Sequence, residues 1–72
     1  MRATVDIVGL AIRMARVEQG LTQAQLAATL GVSRQWLIDI ERGRGNPSYD
    51  TMFRIAEKMG FSIEINPHYA SD

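Results

Sequence analysis

The 72-residue sequence predicts an all-α domain of four or five short helices that ends in one short β-strand. Apolar residues recur at helical spacing from about residue 5 to residue 59. Helix-capping residues and glycines divide this stretch into separate segments. Residues 61–66 then alternate strictly between apolar and polar side chains, which is typical of a half-buried strand. With no linker-like or repeated segment, residues 1–72 are expected to form a single domain.

The first helix is predicted from about residue 5 to residue 19, before the helix-ending Gly20. Asp6 would lie in its first turn, where a negative charge suits the helix dipole. Residues 3–8 also alternate well enough to form a short strand, so the start of this helix stays open. The residues at core spacing on this helix are Val8, Ile12 and Ala15.

The second and third helices have clear start and stop signals. Thr22 and Gln25 have the spacing of a capping box, and Gly31 ends the second helix. Ser33 then caps a third helix, which Gly43 ends. Apolar pairs of the hydrophobic-staple type flank both starts: Leu21 with Leu26, and Val32 with Leu37.

The fourth helix is predicted to begin after Asn46, Pro47 and Ser48 and to end at Gly60. Residues at core spacing within it are Tyr49, Met52, Ile55, Ala56 and Met59. The methionines expected to fill the core are Met14, Met52 and Met59.

The strand at residues 61–66 is ended by Pro67. A lone strand cannot satisfy its own backbone hydrogen bonds, and no other segment is a confident partner for it. We therefore expect antiparallel pairing with the same strand of a second copy, across a two-fold axis. The apolar residues of this dimer strand are Phe61, Ile63 and Ile65. The alternative is a short extended tail packed on its own domain.

Residues 23–42 have the arrangement of a helix-turn-helix, whose second helix can lie in a DNA major groove. Ala27 is small where the two helices cross, and Gly31 lies where the turn needs a positive φ. The apolar positions that would hold the two helices together are Leu26, Leu30, Val32, Leu37 and Ile40.

The run GLTQAQLAATLGVSRQWLIDIERGRGNPS, together with the IAEKMG segment, resembles the lambda-repressor/Cro-like DNA-binding domains of the XRE family. The resemblance covers roughly residues 8–60. It implies a cytoplasmic transcriptional repressor, associated with the nucleoid when bound, that recognises a palindromic double-stranded operator as a homodimer.

The resemblance also implies roles for individual residues. Arg34 and Gln35 match base-reading positions, and Asp39 matches a later base-facing one. Gln23 matches a phosphate-contacting glutamine. The remaining positions expected to contact phosphate are Thr22, Ser33, Arg44 and Asn46. Arg16 and Glu41 match a partly buried ion pair between the first and third helices.

Three residues of the third helix depart from this pattern. Trp36 is expected on its exposed side, where it either contacts a thymine methyl or sugar in DNA or packs over arginines. Ile38 would close a gap against the neighbouring helix. Asp39 is acidic, and it either accepts from cytosine N4 or orients Arg42.

Within the family, a strand after the fourth helix is similar to the HipB-type antitoxins. The matching residues are the FSIEI segment. This resemblance implies strand pairing across a homodimer and a HipA-type serine/threonine kinase toxin as partner. Restriction–modification controllers and phage repressors are the alternatives. A further alternative is a protein-interaction module that has lost DNA binding, for which the zero net charge and exposed Trp36 and Phe53 speak.

Composition argues against other classes of function. With no cysteine and one histidine, no cluster has metal-ligand spacing, and neither a cofactor nor an enzymatic activity is expected. The absence of cysteine fits a reducing cytoplasm. The longest apolar run has six residues against the roughly 20 that cross a bilayer, so no membrane association is expected.

Overall fold

The computed structural model describes residues 2–4 and 7–64 of the chain. These residues form four helices and two short strands, in the order β1 (Arg2–Thr4), α1 (Val8–Glu18), α2 (Gln23–Leu30), α3 (Arg34–Glu41), α4 (Tyr49–Met59) and β2 (Ser62–Glu64). The predicted helical fold class with a short C-terminal strand is confirmed. The strand β1 is an addition to it.

The start of the first helix differs from the prediction. The helix α1 begins at Val8, and Ile7 precedes it without a side-chain cap. Residues 5 and 6, where the helix and its first-turn acid were expected, lie outside the described residues. The alternative of a strand near the N-terminus is partly right, because residues 2–4 form β1.

Three helices begin with the predicted caps. In α2, the Thr22 hydroxyl accepts from the Gln25 amide at 3.0 Å, and the Gln25 side chain accepts from the Thr22 amide at 2.9 Å. The Ser33 hydroxyl accepts from the Trp36 amide at 3.0 Å, and Ser48 caps α4 in the same way. Each cap satisfies an amide that has no partner within its own helix.

The core lies where all four helices meet. The buried face predicted for α1 is correct, and Ala11 joins it. Met14 and Tyr49 were wrongly assigned to the core, since they are 53% and 57% exposed. Met14 lies on the side of α1 that faces away from Ile12, and Tyr49 is the first residue of its helix. The buried core residues are Ala3, Val8, Ala11, Ile12, Ala15, Leu26, Ala27, Leu30, Leu37, Ile40, Met52, Ile55, Ala56, Met59 and Phe61.

The C-terminal strand has a partner within its own chain, contrary to the expectation that the sequence offers none. The strands β1 and β2 run parallel, with Ala3 opposite Ile63. Phe61 precedes β2 and is buried in the chain's own core, so it is not free to contact a second copy. Ile63 is half-buried, and Ile65 lies outside the described residues. Three residues form too short a segment for β1 to be recognised from its sequence pattern.

Candidate nucleic-acid interface

The turn between α2 and α3 sets the position of the candidate recognition helix. Gly31 has φ 73°, a conformation that glycine adopts without steric cost. The next amide, of Val32, donates to the Ala27 carbonyl at 3.0 Å and closes the end of α2. Leu37 is fully buried beneath α3. The opposite face of α3 therefore faces the solvent.

The first turn of α3 presents polar side chains to solvent. Arg34 and Gln35 are both exposed. The Gln35 amide Nε2 donates to Asp39 Oδ1 at 3.1 Å, one helical turn later. Asp39 is therefore paired with Gln35, and its second carboxylate oxygen is still able to orient Arg42. A primary amide carries two hydrogens, so Gln35 retains one donor and its carbonyl oxygen for another partner.

Trp36, expected on or near the exposed side of α3, is only partly exposed. It is half-buried and packs against the core cluster together with Leu21 and Val32. Trp36 therefore belongs mainly to the packing of the turn. Ile38 is also half-buried.

A cleft beside the start of α2 collects the positive charge. Its lining contains four arginines and one glutamate, a local net charge of +3 in a chain whose overall net charge is zero. We call it the basic cleft, and its lining residues are Arg13, Arg16, Leu21, Thr22, Gln23, Ala24, Arg34, Glu41 and Arg42. Such a concentration of cations suits a phosphate backbone.

The buried carboxylate of Glu41 accepts hydrogen bonds from two other residues that line the basic cleft. Arg16 Nε and Nη2 donate to the two oxygens of Glu41 at 2.7 and 3.0 Å, which ties α1 to α3. Gln23 Nε2 donates to the same carboxylate at 3.3 Å. Arg16 also reaches the Leu21 carbonyl through Nη1 at 3.0 Å. The hydrogen bonds that Arg16 donates to Glu41 raise the pKa of Arg16 above its ordinary value, so Arg16 stays charged.

The candidate phosphate-contacting residues lie at three places. Thr22 and Gln23 line the basic cleft, where the first amides of α2 lack intrahelical partners. Arg44 and Asn46 line a separate depression beside the loop between α3 and α4. Ser33 is exposed at the start of α3. The hydroxyls of Thr22 and Ser33 accept capping bonds and keep their own hydrogens as donors.

Sequence reasoning missed Arg13. It is exposed, and it lines the basic cleft from α1 together with Arg34. Arg13 and Arg16 are three residues apart, so their side chains are neighbours on the same side of α1. That spacing, combined with the expected pairing of Arg16 with Glu41, was the sequence signal that could have placed Arg13 in the cleft. Arg34 and Arg42 line the basic cleft as well, whereas Arg44 lines the separate depression.

Comparison with known proteins identifies the arrangement. The profile of the helix-turn-helix family matches residues 12–66, which include all of α2, α3 and α4. The chain belongs to the XRE-type helix-turn-helix family. Members of this family are DNA-binding transcriptional regulators, and relatives of this chain include regulators and phage repressors.

Two curated relatives and one solved structure resemble this XRE-type domain. An uncharacterized HTH-type transcriptional regulator, y4dJ of Sinorhizobium fredii, is 41% identical over 56 residues, 78% of this chain and 73% of that protein. The immunity repressor protein of Bacillus phage phi105 is 45% identical over 56 residues, 78% of this chain and 39% of its own. The clp gene regulator ClgR of Corynebacterium glutamicum has a TM-score of 0.70 and 32% identity, covering 79% of this chain and 73% of ClgR.

The described part of this XRE-type domain contains no cluster of three or more histidine, aspartate or glutamate side chains that could hold a metal ion. Within the same residues, none of the helices has the length and apolarity needed to span a bilayer.

Proposed function

We propose that the chain is a transcriptional repressor that binds a palindromic operator as a homodimer, with α3 in the major groove. The observation that carries the proposal is the exposed pair Arg34 and Gln35 at the start of α3, next to the basic cleft. Two such helices related by a two-fold axis would lie one DNA turn apart, about 34 Å. The protein would then act in the cytoplasm, on nucleoid DNA.

Sequence would be read by the first turn of α3. Arg34 suits guanine O6 and N7, while Gln35 suits adenine N6 and N7, each pair contributing about 1–3 kcal/mol of discrimination. Asp39 would hold the Gln35 amide or accept from cytosine N4. Trp36, being half-buried, would at most touch a sugar or a thymine methyl with its remaining exposed edge.

The DNA backbone would be held on both sides of the recognition helix. On one side the backbone would lie across the basic cleft, where Gln23 and Thr22 supply donors next to the positive end of α2. Arg44 and Asn46 would contact the flanking backbone on the other side, and Ser33 would add a hydroxyl. The local charge of the cleft supports DNA binding in spite of the zero net charge of the chain.

The homodimer would use the second edge of β2. One edge pairs with β1, and no strand among the described residues pairs with the other edge, which the same strand of a second copy would join in antiparallel pairing. A two-stranded sheet is marginal, and pairing across a dimer would enlarge it to four strands. In this arrangement Ile63 and Ile65 remain the apolar contributors, while Phe61 stays in its own core.

An antitoxin of the HipB type is the second candidate function, and the observation in its favour is β2 directly after α4. Such a protein would bind a HipA-type kinase toxin as well as DNA. The similarity to a phage immunity repressor supports a free-standing repressor instead. Tagged protein recovered from its host separates the two, because an antitoxin would bring a kinase-sized protein in stoichiometric amount and a repressor would be recovered alone.

The test of DNA binding selects operator sequences from a random pool and then measures affinity against salt concentration. A groove-reading dimer should lose affinity steeply, with a log–log slope of several units. Arg34→Ala should relax base preference at one position of each half-site, whereas Gln23→Ala should weaken all sequences alike. Arg54→Ala, an exposed change on α4, is the matched control. If no sequence is enriched and no salt-dependent DNA binding is detected, the protein-interaction module is favoured instead.

The strand pairing has a separate test. Ile63→Pro removes a ladder donor from β2 and should shift sedimentation from dimer to monomer. An unchanged dimer would contradict pairing through this strand.

A further inference from the structure

The solvent-facing side of α1, together with Ile7 directly before it, carries a row of large apolar side chains. The exposed fractions are 43% for Ile7, 51% for Leu10, 53% for Met14 and 61% for Val17. We call this row the α1 stripe. Its spacings of three, four and three residues are those of a helix that packs against another helix. The core of the chain uses a different side of α1, so packing within the described residues does not account for the stripe.

Two residues of opposite charge border the α1 stripe. A shallow groove on this face is lined by Leu10, Met14 and Val17, with Arg13 and Glu18 beside them. Arg13 and Glu18 are five residues apart, which separates them by about 140° around the helix axis. The stripe therefore has a basic edge and an acidic edge, and both charged side chains are exposed.

This charge pattern is complementary to itself in one orientation. In a parallel pair of α1 helices, the two-fold axis runs along the helices and brings the basic edge of each against the acidic edge of the other. Arg13 then meets Glu18 of the second copy, a spacing of five residues that flanking charges use in parallel coiled coils. An antiparallel pair would instead bring each edge against its own kind.

We propose that the α1 stripe is a self-association surface, on which the α1 helix of a second copy packs in parallel. This proposal does not rest on DNA binding or on the strand pairing described above. It assigns Leu10, Met14 and Val17 to the apolar seam, and Arg13 with Glu18 to the two flanking ion pairs.

The size of the stripe defines the strength of this contact. The stripe consists of four partly exposed side chains, far fewer than the roughly 20–30 residues that each partner contributes to a stable interface of standard size. The contact is therefore weak between free molecules. It becomes effective where two copies are already held close together, for example on neighbouring DNA sites, because tethering raises their effective concentration.

Sedimentation velocity of the full chain without DNA, over a wide concentration series, tests the seam. Met14→Glu and Val17→Glu introduce charge at exposed positions of a helix, so the fold should persist, as circular dichroism would verify. Each variant should raise the dissociation constant of the α1-mediated step at least tenfold. Phe53→Ser, at an exposed apolar position on α4, is the matched control and should change nothing.

Charge reversal tests the orientation. Arg13→Glu and Glu18→Arg should each weaken self-association, and the double variant should restore it to within a fewfold of the unaltered chain. If the double variant is weaker than both single variants, the parallel pairing is wrong.

Ile63→Pro distinguishes the stripe from the strand. In the Ile63→Pro background, the concentration-dependent step should persist and still be lost on Met14→Glu. A chain that remains monomeric at every concentration in this background would overturn the stripe proposal but would not contradict the separate proposal of strand pairing. The proposal would also be overturned if the stripe variants no longer bound another protein of the host but still self-associated like the unaltered chain.

Discussion

Gly9 of α1 lies directly against the backbone of α3 at Ile40, so that a Cβ atom at position 9 would overlap the Ile40 carbonyl oxygen. The two helices cross at this point. Because the obstacle is backbone, it cannot move aside as a flexible side chain would.

Gly9→Ala should therefore destabilise the protein, although alanine favours a helix over glycine by about 1 kcal/mol. We expect the free energy of unfolding to fall by about 2 kcal/mol or more, the usual cost of overpacking. Urea denaturation measures this change. Ala28→Gly, on the exposed side of α2, is the control and should cost at most about 1 kcal/mol. A Gly9→Ala protein more stable than the parent would contradict the close crossing.

Arg16→Ala should destabilise the protein by about 3 kcal/mol, because it leaves the Glu41 carboxylate buried without its ion partner. The Glu41 side chain is only 3% exposed. Denaturant unfolding should show the loss, while Arg54→Ala, at an exposed position of α4, should stay within about 0.5 kcal/mol of the parent. The double variant Arg16→Met/Glu41→Met should recover much of the stability, since it removes both charges.

The pH dependence of the stability that Arg16 contributes can also be predicted. The hydrogen bonds that Arg16 donates to Glu41 raise the pKa of Arg16 in the folded state. A raised pKa stabilises the folded state at pH values below the pKa of the group in the unfolded chain. This stabilisation is lost only as the pH rises through the pKa of the group in the folded state. For an arginine this loss falls in strong alkali. Stability measured from pH 7 to pH 10 should therefore show no transition attributable to Arg16.

Local signals in the sequence predicted most of the fold. Capping residues such as Thr22 and Ser33 act within four residues, so their hydrogen bonds can be expected without tertiary information. The helix-turn-helix depends on a glycine with positive φ at position 31, which is equally local.

The errors concern contacts between segments that are distant in sequence. The strand β1 is stabilised by β2, about 60 residues away, and three residues carry too little pattern to reveal that pairing. Trp36 is covered by the core cluster around the turn, which its position on α3 alone did not indicate. Met14 was assigned by residue type to the core, whereas its face of α1 is open.

The candidate site shows the same division. The exposure of Arg34 and Gln35 follows from their place in the first turn of a capped helix. The convergence of Arg13 with Arg34 depends on how α1 packs against α3, which the sequence indicated only indirectly, through the expected pairing of Arg16 with Glu41.

Asp39→Ala should change base preference at the half-site position read by Gln35. The Asp39 carboxylate accepts one hydrogen of the Gln35 amide and so limits the orientations of that side chain. Without it, Gln35 would sample more rotamers, and discrimination at that position should fall by about 1 kcal/mol. Selection from a random operator pool measures the change. Glu57→Ala removes a carboxylate from the exposed side of α4 and should leave the selected sequence unaltered.

Arg13→Ala should weaken DNA binding without changing which sequence is bound. Arg13 lines the basic cleft but lies on α1, away from the base-reading turn of α3, so we expect it to contact phosphate. The log–log slope of affinity against salt should fall by about 1 for each chain of the dimer that loses this contact. Fluorescence anisotropy across a salt series measures the slope, with Arg54→Ala as the control for removing a cation elsewhere. Because Arg13 also borders the α1 stripe, the titration is best made on a single half-site, where only one copy binds and self-association cannot contribute. An unchanged slope on that half-site would mean that the backbone does not cross the cleft at Arg13, and Gln23 would then be the main phosphate contact there.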